Sequence, residues 1–331
     1  MSTNANELNR RELLAAGGAA AALAMLGSPV GRASAAAGAA SAGDRKRVLR
    51  LAHLTDIHVQ PERRAAEGLA ACLRHVQAQA DRPDVILTGG DLIMDSMGAN
   101  EARTRTQWDV FAKVFQEECR LPVEHCIGNH DVWGWDKQDS ATDGSEARWG
   151  KKWVMEQLGL ARPYRSFDRA GWHFIVLDST FPKGDGYTAR LDDEQFEWLA
   201  GDLAKTGAKT PVLVLSHIPI LAACTFFDGD CEKSGDWEVP GAWMHIDARR
   251  IKDLFRKHPN VKLCLSGHIH LVDRVDYLGV TYLCNGAVCG GWWKGPNQEF
   301  SEGYGLVDLF SDGTFESEYV TYGWKAETGK A

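Results

Sequence analysis

Apolar positions in this chain repeat with a period of two in some stretches and of 3.6 in others, and the two kinds of stretch take turns. Val48-Leu49-Arg50-Leu51-Ala52-His53-Leu54 is a strand-like run, and Arg63 to Ala80 follows with Leu69, Cys72, Leu73 and Val76 on one helical face. Asp84 to Leu87 is a short buried strand, Trp108 to Glu118 a helix with Val110, Phe111, Val114 and Phe115 inward, and Pro122 to Ile127 a strand again. Strands follow at Trp172 to Leu177, Pro211 to Leu215 and Val261 to Leu265, separated by helices at Asp192 to Ala204 and Asp247 to Lys257. Beyond His270 the helical period stops. Asp273 to Tyr277, Val280 to Cys284, Tyr304 to Phe310 and Thr314 to Tyr319 read as hairpin arms, with Ser311-Asp312-Gly313 as turn residues. Strand–helix alternation with an antiparallel finish predicts an α/β protein, a mixed β-sandwich flanked by helices. No internal repeat or linker interrupts residues 44–331, which are expected to form one domain.

Residues 1–43 follow neither period. Arg10-Arg11 precedes an Ala/Gly/Leu run that ends at Leu26, and Gly27 to Gly43 is almost entirely small residues. A charged start, a short apolar stretch and a small-residue tail describe a signal peptide. The run is shorter than the roughly 20 residues of a membrane span, so no transmembrane anchor is expected in the mature form. The arginine pair resembles a twin-arginine export signal, although Asn9, Leu13 and Ala15 depart from its usual residues, and Ala33-Ser34-Ala35 suits cleavage. The expectation is a protein handed to the twin-arginine export machinery and delivered to the periplasm or secreted.

Composition narrows the function classes. The 331 residues are 44% hydrophobic and 25% charged, as in an ordinary globular protein. The net charge of −8, with no Lys/Arg-rich block, argues against stable nucleic-acid binding. None of the eight cysteines forms a CxxC pair, which argues against a thiolate zinc site. Cys72, Cys126 and Cys264 lie in apolar runs and read as buried thiols, whereas Cys224 with Cys231 and Cys284 with Cys289 are close enough in sequence to pair in an oxidising compartment.

The candidate chemistry lies where strands end. Leu54-Thr55-Asp56-Ile57-His58, Thr88-Gly89-Gly90-Asp91, Ile127-Gly128-Asn129-His130-Asp131, Ser216-His217-Ile218-Pro219 and Ser266-Gly267-His268-Ile269-His270 each close an apolar run with Asp, His, Asn or Gly. Ligands of α/β sheets gather at the carboxyl ends of strands, so these loops are expected to converge. Asp56, His58, Asp91, Asn129, His130, His217, His268 and His270 together form a mixed oxygen and nitrogen donor set, suited to Fe, Mn or Zn. In Asp-x-His and His-x-His, residues two apart past a strand reach the same side. The neighbouring glycines allow tight turns and close backbone approach. His53 and His125, inside strands, and His245 read as core histidines rather than ligands.

In this order the motifs resemble the signature of the calcineurin-like metallophosphoesterase superfamily: Asp-x-His, Gly-Asp, Gly-Asn-His-Asp/Glu, His and Gly-His-x-His. The resemblance spans Asp56 to His270. It implies a four-layer α/β/β/α sandwich and two divalent or transition metal ions. One ion would be held by Asp56, His58, Asp91 and His270, the other by Asp91, Asn129, His217 and His268. His130 would face the substrate, and Asp131 would orient it. The implied reaction is hydrolysis of a small phosphate ester, a diester by preference, by a hydroxide held between the ions. Asp91 is followed by Leu92, Ile93 and Met94 rather than the tyrosine of purple acid phosphatases, and the motifs differ from those of Ser/Thr protein phosphatases. The likeness is to the bacterial branch that contains cyclic-nucleotide phosphodiesterases. The alternatives are a phosphomonoesterase, a phospholipid or pyrophosphate hydrolase, and a non-catalytic metal-binding protein on the same fold. Aromatic residues at Trp133, Trp135, Phe226, Phe227, Trp237, Trp243, Trp292 and Trp293 either stack on a substrate or pack their own loops.

Overall fold

The computed structural model describes residues 45–327, so the leader expected over residues 1–43 lies outside the described residues. The chain runs through β1 (Arg47–Leu54), α1 (Ala65–Gln77), β2 (Val85–Thr88), α2 (Glu101–Glu118) and β3 (Val123–His125). Two short helices, α3 (Lys137–Ser140) and α4 (Lys151–Leu158), precede β4 (Arg165–Arg169), β5 (Trp172–Val176) and the hairpin β6 (Thr180–Lys183) and β7 (Gly186–Ala189). Then come α5 (Asp193–Lys205), β8 (Val212–Leu215), α6 (Ala248–Phe255) and β9 (Val261–Ser266). The antiparallel finish is β10 (Asp273–Tyr277), β11 (Val280–Cys284), β12 (Gly303–Phe310) and β13 (Phe315–Thr321).

Period-two alternation decides how the layers stack. In β8, Val212 and Val214 face a core shared with Leu199 and Leu203 of α5 and Ile251 and Phe255 of α6. Leu213 and Leu215 face the other way and meet Leu51, Val85, Leu87 and Val307 of the opposite sheet. Ala52, Leu54 and Ile86, on the far side of that sheet, pack against Leu69 and Leu73 of α1 and Trp108 and Phe111 of α2. The outcome is the α/β/β/α order, with one sheet ordered β13-β12-β1-β2-β3 and the other β10-β11-β9-β8-β5-β4. β1, β2 and β3 are parallel, as are β5, β8, β9 and β11. The motif-bearing ends of β1, β2, β8 and β9 therefore point to one edge of the sandwich.

Most predicted elements are formed within a residue or two. α1 ends at Gln77, three residues before the predicted Ala80, and the largest departure is α2, which begins at Glu101, before the predicted Trp108. Its first two turns, Glu-Ala-Arg-Thr-Arg-Thr-Gln, have no apolar stripe, and the Asn100 side chain caps them by accepting from the Arg103 N–H. β4, β6, β7, α3 and α4 carry no clean period and were not predicted. The cysteines also pair differently from their spacing. All eight are free thiols; Cys284 Sγ donates to the Gly267 carbonyl (3.2 Å) and shares a buried cluster with Cys224 rather than Cys289. Cys231 Sγ lies 3.4 Å from the Thr225 carbonyl instead.

At the start of β5, the His173 ring is held between Asp168 (Nδ1 to Oδ1, 2.7 Å) and Asp202 (Nε2 to Oδ2, 2.8 Å). Burial lowers the pKa of this imidazole, but the two carboxylates outweigh burial and leave it raised above its usual value. A histidine pKa raised by folding contributes stability that is complete below the unfolded value of about 6.5 and is lost as pH rises through the folded value. Asp168 is exposed, so the effect is modest. His173→Gln should therefore lower Tm at pH 6 by roughly 2 °C more than at pH 9, measured by calorimetry. Equal losses at both pH values would remove the charged bridge from the account.

Candidate metal centre

Five of the residues singled out at the strand ends adopt left-handed backbone: Asp56 (φ 54°), His58 (φ 45°), Asp91 (φ 51°), His268 (φ 72°) and His270 (φ 59°). A side chain in this region crowds its own backbone, and single cases persist only where the surroundings hold them. Here the loops hold each other. The Asp56 N–H donates to the Gly90 carbonyl (3.1 Å), and the His58 N–H donates to that of Asp91 (2.9 Å). The turn out of the strand after each Asp or His sends residues i and i+2 back across the sheet edge. Glycine is required beside them: a Cβ on Gly128 would strike Asp91, and one on Gly267 would strike Thr55 and Asp56.

The side chains converge on Asp91. Its Oδ1 accepts the His130 backbone N–H (2.8 Å). Its Oδ2 faces His217 Nε2 at 3.2 Å on one side and His58 Nε2 at 3.6 Å on the other. On the first side, His217 Nε2 is also 3.0 Å from Asn129 Oδ1 and 3.2 Å from His268 Nδ1. On the second, His58 Nε2 and His270 Nε2 are 3.2 Å apart, and His270 Nε2 is 3.5 Å from Asp56 Oδ1. The Asp56 carboxylate is fixed by the His268 N–H and the Thr55 hydroxyl. All but His268 of these side chains are fully buried.

Tautomers can be read from the outer partners. His217 Nδ1 lies 2.8 Å from the Gly89 carbonyl and His270 Nδ1 lies 2.8 Å from the Gly290 carbonyl. A carbonyl only accepts, so each Nδ1 carries a proton and donates it. In the neutral ring the inward Nε2 is then a lone pair, aimed at carboxylate and amide oxygens that are also acceptors. Buried acceptors facing acceptors repel, and a cation relieves the repulsion. Without one, protons fill in unevenly. Burial lowers the pKa of His217, but Asp91 and Asp56 outweigh it and push it up to about 9. His268 is pushed down to about 3 by burial and by the charge of His217. Imidazole and carboxylate donors, pre-aimed and backed by carbonyls, fit divalent cations.

Every residue expected in the donor set lies in this cluster. His130 stands at its edge, its ring 4.8 Å from that of His58, with a side chain 26% exposed. Asp131 does not touch it. Its two oxygens accept the Leu92 N–H (2.8 Å) and the Gly128 N–H (2.9 Å), tying the Gly-Asp loop to the Gly-Asn-His-Asp loop. The expected orienting role is thus corrected: the hydrogen bonds of Asp131 run to backbone N–H groups, and it joins loops rather than holding the His130 ring. The His130 ring has Asp95 within ion-pair distance, with Oδ1 3.9 Å from His130 Nδ1. His125 is paired with Thr88 and His245 with Asp247, as core histidines are. His245 Nε2 also reaches Ser216 Oγ (3.3 Å), but that hydroxyl is buried and donates to the Ile218 carbonyl, so this Ser-His-Asp chain is structural.

Three further residues border the cluster. Cys289 Sγ lies 3.9 Å from His270 Nδ1 and, with His270 and His58, forms a group of donor atoms close enough together to hold an ion. Tyr187 lies edge-on to His268 with centroids 6.2 Å apart. Trp292 covers His58, His130 and His270. Of the other loop tryptophans, Trp133 packs on Trp153 and buried Trp293 donates to the His58 carbonyl (3.0 Å), whereas Trp237 is exposed.

Residues 49–272 match the calcineurin-like phosphoesterase family. The chain is 24% identical over 285 residues to the 3′,5′-cyclic adenosine monophosphate phosphodiesterase CpdA of Escherichia coli (strain K12), covering 82% of this chain and 88% of that one. It is likewise 24% identical over 280 residues to a 3′,5′-cyclic-nucleotide phosphodiesterase of Nostoc sp., covering 81% and 90%. The fold is shared with a dimetal phosphatase from Danio rerio (TM-score 0.54, 16% identity), over 84% of this chain and 100% of that one.

The Gly267 contact gives a direct check. Gly267→Ala should push Thr55 and Asp56 apart and lower bound metal to less than about half of the wild-type content by elemental analysis, since ligand-orienting partners typically control 10–100-fold in affinity. Unchanged metal would mean the loop relaxes without disturbing Asp56.

Proposed function

The chain belongs to the calcineurin-like phosphoesterase family, and from that premise we propose that this hydrolase of phosphate esters is a dinuclear phosphodiesterase. The observation that carries the reading is Asp91 Oδ2, one carboxylate oxygen shared by two inward-facing donor groups. Asp56, His58, Asp91 and His270 would hold one divalent cation, and Asp91, Asn129, His217 and His268 the other, with Fe, Mn or Zn suited to these donors. When bound, such cations supply Lewis-acid charge to the phosphoryl oxygens and acidify a water for attack on phosphorus.

The chain's own residues do the rest. The backbone N–H of His130 donates to Asp91 Oδ1, which sets the residue beside the shared carboxylate. His130 Nδ1 is buried toward Asp95, which leaves Nε2 for the substrate. From there it donates a proton to the leaving oxygen or offsets charge growing on it. Preference for diesters is supported by the cyclic-nucleotide phosphodiesterases among the relatives, which match over most of their own length. Residues 1–43, with Arg10-Arg11, direct export in this reading. No helix among the described residues is long and apolar enough to cross a membrane.

His130→Ala should lower kcat on bis-p-nitrophenyl phosphate by about 10²–10⁴-fold with metal content unchanged, whereas Asp91→Asn should lose metal and activity together. Faster cleavage of p-nitrophenyl phosphate by the wild type would make the protein a monoesterase. Two metals per chain with neither ester cleaved would favour a binding protein. Export is checked by N-terminal sequencing of the protein from a bacterial host: a start near residue 36 is expected, and an intact Met1 in the cytosol would discard it.

A further inference from the structure

We infer that Trp292 is the binding wall for a planar aromatic group on the leaving side of the substrate, a nucleobase or aryl ring, and so decides which diesters are cleaved. The inference rests on the phosphodiesterase reading above and adds the residue that sets its specificity.

The first argument is position. The Trp292 ring centroid lies 4.2 Å from that of His58, 4.7 Å from that of His270 and 5.4 Å from that of His130. An indole beside His130 is beside whatever is attached to the oxygen that His130 protonates. It is half-buried, so part of its face stays open to a ligand.

The second argument is backbone strain that the core does not explain. Trp292 and Trp293 are consecutive bulky residues in left-handed conformation, at φ 60° and 63°. The loop is pinned to keep them there. The Val288 N–H donates to the Thr55 carbonyl (2.9 Å), the Cys289 N–H to that of Asp56 (3.2 Å), and the Trp293 N–H to that of Cys289 (2.8 Å). Buried Trp293 accounts for the packing, with its indole against Gly68. Trp292 fills no core, yet the same strained turn delivers it to the site.

The third argument is chemistry. Every nucleobase has a π-face, and aromatic stacking tolerates different rings. A quaternary ammonium also binds indoles, but here it would sit against histidines that hold divalent cations, and like charge disfavours it.

The test compares Trp292→Ala and Trp292→Phe with the wild type, on two ring-bearing diesters (cyclic adenosine monophosphate and bis-p-nitrophenyl phosphate) and on glycerophosphoglycerol, which has no ring. Metal content and Tm are measured alongside. Trp292→Ala should lower kcat/KM on the ring-bearing esters by about tenfold, mainly through KM. The loss on glycerophosphoglycerol should be under about twofold, and Trp292→Phe should recover most of it. Adenosine 5′-monophosphate should quench tryptophan fluorescence of the wild type more than that of Trp292→Phe, a readout independent of turnover. Equal losses on both substrate classes would make Trp292 structural and overturn the inference. A selective loss on glycerophosphocholine would assign the wall to a cationic group and also overturn it. If Trp292→Ala fails to fold, the Trp292→Phe quench decides. If the wild type cleaves no diester, the phosphodiesterase reading fails by itself, and the quench alone judges Trp292.

Discussion

Buried lone pairs aimed at one another are the constraint on which this structure turns. His217 and His270 each surrender Nδ1–H to a backbone carbonyl, which leaves Nε2 facing Asp91, Asn129 or Asp56. Such a cluster costs free energy when empty, because burial removes the water that would satisfy these acceptors. Protons answer this only in part, as the opposite shifts of His217 and His268 show. Divalent charge answers it in full, and binding energy then becomes folding energy for the loops that carry the ligands.

The sandwich makes this cluster possible. Parallel strands end together, so ligands far apart in sequence arrive at one edge without long connections. Asp56 and His268 are 212 residues apart, yet the backbone N–H of one meets both carboxylate oxygens of the other. The two sheets bury Leu51, Leu87, Leu213, Leu215 and Leu265 between them. That apolar interior is stiff enough to hold five left-handed residues in place at the rim. Strain at the rim is offset by packing beneath it.

Around the cluster the roles divide by solvent access. Asp131 is fully buried and bonds only backbone, so it joins loops. His130 is a partly exposed imidazole close to Asp91, and in the proposed reading it faces the substrate. Trp292 closes the same side with an apolar face. Phe227 and Trp237, on the loop after His217, are exposed instead.

By itself the sequence determined the layers, because period two and period 3.6 report which face of each strand or helix is apolar. It also pointed to the residues that cluster at the sheet edge, because Asp, His and Asn beside glycine at strand ends have few other uses. Elements without a period, such as β6, β7 and the first turns of α2, stayed hidden: they are held by caps and tertiary contacts rather than by an apolar stripe. Sequence spacing suggested Cys224 with Cys231 and Cys284 with Cys289, but the fold sets Cys284 against Cys224, because closeness along a loop is not closeness of sulfur atoms. Likewise only the tertiary structure separated Trp292 from Trp293. Adjacent and identical in type, they differ in the direction a strained turn gives each side chain, one into the core and the other over the histidines.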